Sequence, residues 1–385
     1  MKGLRQMKVL QCLFSLVVIG LLAACTLGKD NALPPSPLVK FTQTLQARLL
    51  WSQSTGNGAG GYYLRFIPAG DQGMVFTASR DGLVSAINAK TGQVVWRVQL
   101  RHQISSGVAA GGGGVYVGTD GAELIALSEK NGHVLWQHNT DSEALAPALY
   151  AGGRVIVHTI SGSLSAISAK TGARLWRFDQ SVPSLILHAA GQPQVAGGNV
   201  IAGFSNGELS VLNLYTGKLK WEQHVAMPAG DNPVTQMVDI TVNPVVVDGV
   251  VYAATYQGQI AAYSLDNGQL IWQHQISSYA GIAANQTQVF VADATSNVWA
   301  FDENSGGVNW KQTNLQGRQI TGPVIYHNAL VVADRYGYLH FMSLRDGHFL
   351  ARMSIGQGAI SQPVVYRDVL YVYTSNGNLL AIHTK

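Results

Sequence analysis

The stretch "NAKTGQVVW" (Asn88–Trp96) returns eighty residues later as "SAKTGARLW" (Ser168–Trp176). The longer unit is a turn glycine, a short apolar run, Thr-Gly or Asn-Gly, and a tryptophan four residues on. It reads "DGLVSAINAKTGQVVW" (Asp81–Trp96), "GAELIALSEKNGHVLW" (Gly121–Trp136), "SGSLSAISAKTGARLW" (Ser161–Trp176) and "NGELSVLNLYTGKLKW" (Asn206–Trp221). It continues as "QGQIAAYSLDNGQLIW" (Gln257–Trp272) and "SNVWAFDENSGGVNW" (Ser296–Trp310), and a seventh copy, "YGYLHFMSLRDGHFLA" (Tyr336–Ala351), has lost the tryptophan. The second glycines fall at 92, 132, 172, 217, 268, 306 and 347, spaced by 40, 40, 45, 51, 38 and 41 residues. A period near forty marks a repeat architecture.

Inside one repeat the apolar runs are too short for helices and rich in Val, Ile and Tyr. "GVAAGGGGVYVGTDGAELIALSEKNGHVLW" (Gly107–Trp136) holds a weak strand, "VYVGT", "ELIALS" and "HVLW", separated by glycine-containing turns. Asn-Gly and Thr-Gly between alternating runs are hairpin signals, because the turn needs residues at positive φ. Four short antiparallel strands per forty residues make one propeller blade. The tryptophan falls on the fourth, outer strand, where neighbouring sheets diverge and a large ring fills the wedge. The C-terminal "NGNLLAIHTK" (Asn376–Lys385) stops after its third strand, while "QARLLWSQ" (Gln46–Gln53) holds Trp51 with no strands before it. Seven whole units and one split unit predict an all-β, eight-bladed propeller of four-stranded antiparallel blades. Pairing of the N- and C-terminal segments closes the ring and removes free edges.

Composition agrees with many short strands and tight turns: 385 residues, 12% charged, 43 glycines. The net charge of +4 is concentrated at the start. Without Lys2, Arg5 and Lys8 the chain has 22 basic and 21 acidic residues, and no basic stripe with interleaved aromatics that would bind nucleic acid. Those three bases precede the apolar run "VLQCLFSLVVIGLLAA" (Val9–Ala24), followed by small residues, which reads as a secretory signal over 1–24. The junction "LAAC" (Leu22–Cys25) resembles the bacterial lipoprotein box, which implies acylation of Cys25, and Thr26 after it implies the outer membrane. Cys12 lies in the signal, so the mature chain has no cysteine for a disulfide, a zinc site or a thiol nucleophile. Residues 25–44, with "LPPSPL" (Leu33–Leu38), are expected to form a lipidated flexible tether, and 45–385 the propeller.

The A-x-x-x-x-TG-x-x-x-W unit resembles the repeat of pyrroloquinoline-quinone dehydrogenase propellers. With a lipobox, a single eight-bladed domain and no cytochrome segment, the chain resembles the BamB family more closely. Its members are lipoprotein subunits of the machine that inserts β-barrels into the outer membrane. "VPSLILHAAGQPQVAGG" (Val182–Gly198) and "VDITVNPVVVDGVVYAATYQG" (Val238–Gly258) are similar to the family segments that meet its barrel-forming partner, BamA. That likeness implies partner contacts at Leu185, Leu187, His188, Asp239 and Thr241. His188 stands where the family often has arginine and Thr241 where a second aspartate is common. Histidine is charged only part of the time near neutral pH, so a re-tuned electrostatic contact is implied. The spacings of 45 and 51 residues place surplus chain in the same region, in the connections 177–196 and 222–243. Consecutive interblade connections should be neighbours in space, and connections longer than the repeat needs are usually functional.

A quinone dehydrogenase needs a calcium cage, a catalytic carboxylate and groups gripping the cofactor. Asp120, Asp293 and Asp334 fall at comparable turns of different repeats and read as turn formers. The eleven histidines are scattered, with no H-E-x-x-H or close His-x-His group, so no metal site is expected. "AGGGGV" (Ala110–Val115) lacks the Lys-Ser/Thr of a phosphate loop, and no G-x-S-x-G accompanies a Ser-His-Asp set. A ligand-binding propeller would line its groove with exposed aromatics, for which Tyr256, Trp299, Tyr336 and Tyr338 are the candidates. The reading that results is a non-enzymatic, cofactor-free scaffold of the barrel-assembly (BAM) complex. It is expected to be lipid-anchored to the outer membrane, to face the periplasm and to bind BamA. Unfolded barrel clients are a further partner class, since strand addition to an edge tolerates any sequence. The alternatives are a quinone-dependent dehydrogenase and a periplasmic ligand-binding propeller.

Overall fold

Strands of five or six residues, cut by turns that glycine makes cheap, dominate the computed structural model, which describes residues 33–62, 64–359 and 361–385. The compact propeller unit is Pro35–Lys385. Among the described residues there are thirty-two strands and no α-helix, and the strands form eight four-stranded antiparallel sheets. Blades one to seven occupy 69–99, 109–139, 149–179, 194–224, 245–275, 281–312 and 324–354. In blade two, Gly114–Gly118 is buried throughout and Leu124–Leu127 of the next strand is buried as well, whereas Val134–Asn139 has no fully buried position. The middle strands are therefore covered on both faces by neighbouring blades, and the outer strand meets solvent.

Each indole does more than fill a wedge. Trp96 of blade one donates its Nε1–H to Glu129 O of blade two at 2.7 Å, and its ring lies flat on Gly132, where a Cβ would come within 2.8 Å of it. Gly132 sits at φ 73°, so one glycine both makes the turn and leaves a bare surface for the ring. Seven interfaces repeat this clasp, with Trp51, Trp96, Trp136, Trp176, Trp221, Trp272 and Trp310 seated on Gly92, Gly132, Gly172, Gly217, Gly268, Gly306 and Gly347. Each of these indoles also donates to a backbone oxygen of the following blade.

Blade eight closes the ring as the terminal fragments implied. Ala47–Ser54 pairs antiparallel with Asn378–Thr384, setting Trp51 opposite Ala381, and the remaining strands are Val369–Tyr373 and Val364–Tyr366. Because its third and fourth strands come from opposite ends of the sequence, no hairpin joins them and no turn glycine offers a seat. The seventh blade accordingly carries the buried Ala351 in place of the indole, and Leu45 and Ala47 pack into the cluster around it.

The tether expected over 25–44 needs correction in its second half. Ser36 N donates to Gln316 O and Thr44 N to Leu350 O, both at 2.9 Å. Phe41 stacks on Phe349 with centroids 5.4 Å apart, and Arg352 covers Phe41 while donating to Val39 O at 3.0 Å. Residues 35–44 are thus strapped to the propeller, because Val39 and Phe41 supply apolar side chains that a free linker would leave in water. Cys25 and the signal at 1–24 lie outside the described residues.

Candidate functional site

Antiparallel order puts every second-to-third-strand turn and every interblade connection on one face of the ring, and the clasp turns on the other. The successive connections 180–193 and 225–244 therefore share the face opposite the tryptophan clasps. They are tied to each other as well as adjacent. Leu187 N donates to Asp239 Oδ1 at 2.9 Å and Gln192 N to Asn243 Oδ1 at 2.7 Å, while Gly191 lies so close to Val242 O that a Cβ would be 2.5 Å from it. Pinning 187–192 along 239–243 leaves 181–185 exposed to solvent.

The residues expected to contact a partner divide by depth. Leu185 is 41% exposed, His188 is exposed with Nε2 at 3.4 Å from Glu143 Oε2, and Ile186 and Leu187 are half-buried. Asp239 and Thr241, by contrast, are each 1% exposed, which corrects their reading as surface contacts. Asp239 acts from beneath as the acceptor that fixes the Leu187 backbone. Thr241 lends its carbonyl to Arg65 Nη1 at 2.8 Å, and Arg65 Nη2 reaches Tyr279 O. Arg65 precedes blade one and Thr241 precedes blade five, on opposite sides of an eight-membered ring, so this one side chain crosses the axis.

A small cavity under the 180–193 connection is lined by His158, Ile186, Ala190 and Asp239. Among the described residues, Asp239 Oδ2 and His158 Nδ1 have no hydrogen-bond partner. Burial pushes the Asp239 carboxyl up to about 6, against the pull of the Leu187 N–H. Burial likewise drives the His158 imidazole down to about 4, so it is neutral at physiological pH.

Two residues of this face escaped the sequence reading. Met227 is 65% and Val234 57% exposed, both in the 225–244 connection. Val234 is not on a loose strand end: its carbonyl accepts from Gln257 Nε2 at 3.1 Å, and Thr235 closes a turn on Asn232. Large apolar side chains held in water by an ordered backbone are what a docking surface presents. Their only sequence signal was surplus connection length.

The other candidates are engaged by residues of their own blades or of the adjoining blade or connection. Asp293 accepts from Thr295 N, Asn297 N and Trp299 Nε1, and Asp334 from Tyr336 N, Tyr338 N, Arg318 and His340. Asp120 is exposed, 3.9 Å from Arg80. The Asp293 and Asp334 carboxylates thus shape turns in two different blades. Trp299 lies under Lys311 at 4.0 Å, Tyr256 meets Tyr279 edge-on, and Arg318 faces both Tyr336 and Tyr338.

Comparison with known proteins gives a consistent picture. A family model described as outer membrane protein assembly factor BamB matches residues 41–106, 80–312 and 298–385. The outer membrane protein assembly factor BamB of Legionella pneumophila (strain Paris) is 41% identical over 371 residues, covering 94% of this chain and 97% of that protein. The crystal structure of BamB from Moraxella catarrhalis superposes with a TM-score of 0.81 at 26% identity, over 88% of this chain and all of that one. Quinohemoprotein alcohol dehydrogenase from Comamonas testosteroni superposes with a TM-score of 0.70 at 15% identity, over 87% of this chain and 76% of that one, a likeness of fold alone.

Proposed function

The chain belongs to the family of the outer membrane protein assembly factor BamB, and from that membership we propose that it is a non-enzymatic scaffold subunit of the barrel-assembly complex. In this reading residues 1–24 direct export, acylated Cys25 holds the protein on the outer membrane, and the propeller faces the periplasm. Its docking face grips the periplasmic domains of BamA. The observation that carries the proposal is the pair of interlocked connections, with Leu185 and His188 outward and Asp239 fixing the backbone below. An exposed leucine in a fixed loop suits a protein partner, because little conformational entropy remains to be lost on docking. A dehydrogenase reading is disfavoured by Asp293 and Asp334, whose carboxylates are occupied by turn and side-chain hydrogen bonds.

Affinity capture from detergent-solubilised envelopes tests this. Leu185→Glu with His188→Glu should reduce recovery of BamA by about tenfold or more, the scale of losing a buried apolar anchor. Asp239→Ala should weaken capture by releasing Leu187, without touching the partner. Unchanged recovery by both variants rejects the site, and Met227→Glu with Val234→Glu maps how far it extends.

A further inference from the structure

The seam between blades seven and eight departs from the repeat at three places at once. Ala351 replaces the clasp tryptophan. His383 takes the position held by Asn88, Ser128, Ser168, Asn213, Ser264, Asp302 and Ser343 in the other third strands. Asp368, at φ 63°, occupies a turn position that glycine holds at Gly73, Gly113, Gly153, Gly198 and Gly249. His327, at φ 51°, fills the corresponding turn of blade seven. Asp tolerates the left-handed region better than most side chains but is still costlier there than glycine. The three side chains so placed converge. His327 Nε2 is 2.6 Å from Asp368 Oδ1, His383 Nε2 is 3.6 Å from Asp368 Oδ2, and the ligand atoms all lie within 4.8 Å of one another.

We infer that His327, Asp368 and His383 form a binding site for a divalent transition-metal ion of zinc type, which staples the one interface that lacks a tryptophan clasp. Three donors on one tetrahedral ion, each bonded at about 2.0–2.2 Å, lie roughly 3.4 Å apart, so the His327–Asp368 pair must open by under an ångström and the widest donor pair must draw in from up to 4.8 Å. Two imidazoles with one carboxylate are a zinc-type donor set, and an open fourth position is left to water. The histidine from blade seven is already oriented. Its Nδ1 meets Thr384 Oγ1 at 2.9 Å, leaving Nε2 to the metal, and its ring stacks on Tyr326 at 4.1 Å. Tyr326 in turn donates to Asp368 O at 3.0 Å. The donors come from a turn of blade seven and from a turn and a strand of blade eight. That is why no local motif announces them.

The full-length chain, purified in detergent without a histidine tag, should bind a single equivalent of Zn²⁺ by calorimetry. Its melting temperature should rise by about 5 °C when Zn²⁺ is in hundredfold excess over Kd, with no response to Mg²⁺. Co²⁺ should give the visible absorption of a low-coordinate site. His327→Gln and His383→Gln keep a polar group toward Asp368, and each should weaken Zn²⁺ by at least about tenfold, while His133→Gln on the outer rim leaves binding intact. Absence of stoichiometric Zn²⁺ binding to the unaltered chain overturns the site, leaving a plain His-Asp-His ion triad. Binding that survives both seam substitutions overturns it equally, since the metal then sits elsewhere.

Discussion

Trp176 and Gly217 are two halves of one device. The indole is 8% exposed and donates to Leu214 O at 2.9 Å, and a Cβ on Gly217 would lie 2.6 Å from its ring. Trp176→Ala should therefore cost roughly 3–5 kcal/mol in denaturant unfolding, the range for deleting a buried aromatic. Gly217→Ala alone should cost about 2–4 kcal/mol, from left-handed strain at φ 68° and from displacing the ring. With the indole already removed only the strain remains, so the double variant should show a coupling of about 1–3 kcal/mol. Strict additivity would mean that ring and glycine act independently. Asp239 offers a second test at this scale. Its folded-state pKa, raised by burial to about 6, means the folded chain holds a proton that the unfolded chain releases near pH 4. Its contribution is thus most favourable below pH 4 and is lost as pH rises to 6. His158, lowered to about 4, runs the other way, its contribution being lost as pH falls from about 6.5 to 4. The two largely mask each other in the unaltered protein. Asp239→Asn keeps an oxygen for Leu187 N and removes only the acid. Its stability advantage should grow from nil at pH 4 to on the order of 2–3 kcal/mol at pH 7.5, and a pH-independent difference would contradict the buried charge.

Among the elements, the segment 35–44 shows where sequence reading reaches its limit. Proline spacing in "LPPSPL" reads as a linker, and no local signal marks that Phe41 has Phe349 to stack on or that Arg352 lies across both. Blades, by contrast, were legible because each rule is written within forty residues: turn glycine, alternating strand, Thr-Gly, indole. The eighth blade was legible from its fragments, since Trp51 without strands and three strands without Trp51 complete each other. The proposed docking face was legible as surplus length and as two segments similar to the BamB family. Distance along the chain hid the hydrogen bond from Leu187 to Asp239, and with it the fact that Asp239 and Thr241 work from below. Arg352→Ala removes both the cover on Phe41 and the donor to Val39 O. Trypsin should then cut after Lys40 at least about tenfold faster while the propeller stays intact, because local opening of the strap no longer competes with two contacts. Equal cleavage rates would show that the Phe41–Phe349 stack and the backbone bonds to Gln316 and Leu350 hold the strap without Arg352.

At the level of the whole ring, the missing eighth clasp is a consequence of connectivity. Lys385 N donates to Gln46 O at 3.0 Å, so the third and fourth strands of blade eight end side by side with no turn between them. Register makes the repair explicit. Ile382 pairs with Leu49 as Ile87 pairs with Val94, so Lys385 joined through an inserted Thr-Gly to Arg48 would read like the Lys90–Gln93 turn. In a circular permutant joined in this way, which drops residues 1–47 and so must be compared with its own Ala351 form, and opened at Gly153, an exposed turn of blade three, a glycine seat should exist where none does now. Ala351→Trp should then separate the two topologies. In the native order the indole has no seat and displaces Leu45, costing about 1–3 kcal/mol by overpacking. In the permutant it should find its glycine and a carbonyl, and raise the melting temperature relative to the same permutant with Ala351. Equal destabilisation in both orders would mean that the seam is set by blade curvature and not by the lack of a turn. A gain confined to the permutant would show that each interface needs only an indole and the next blade's turn, which makes the ring a chain of seven like clasps and one seam.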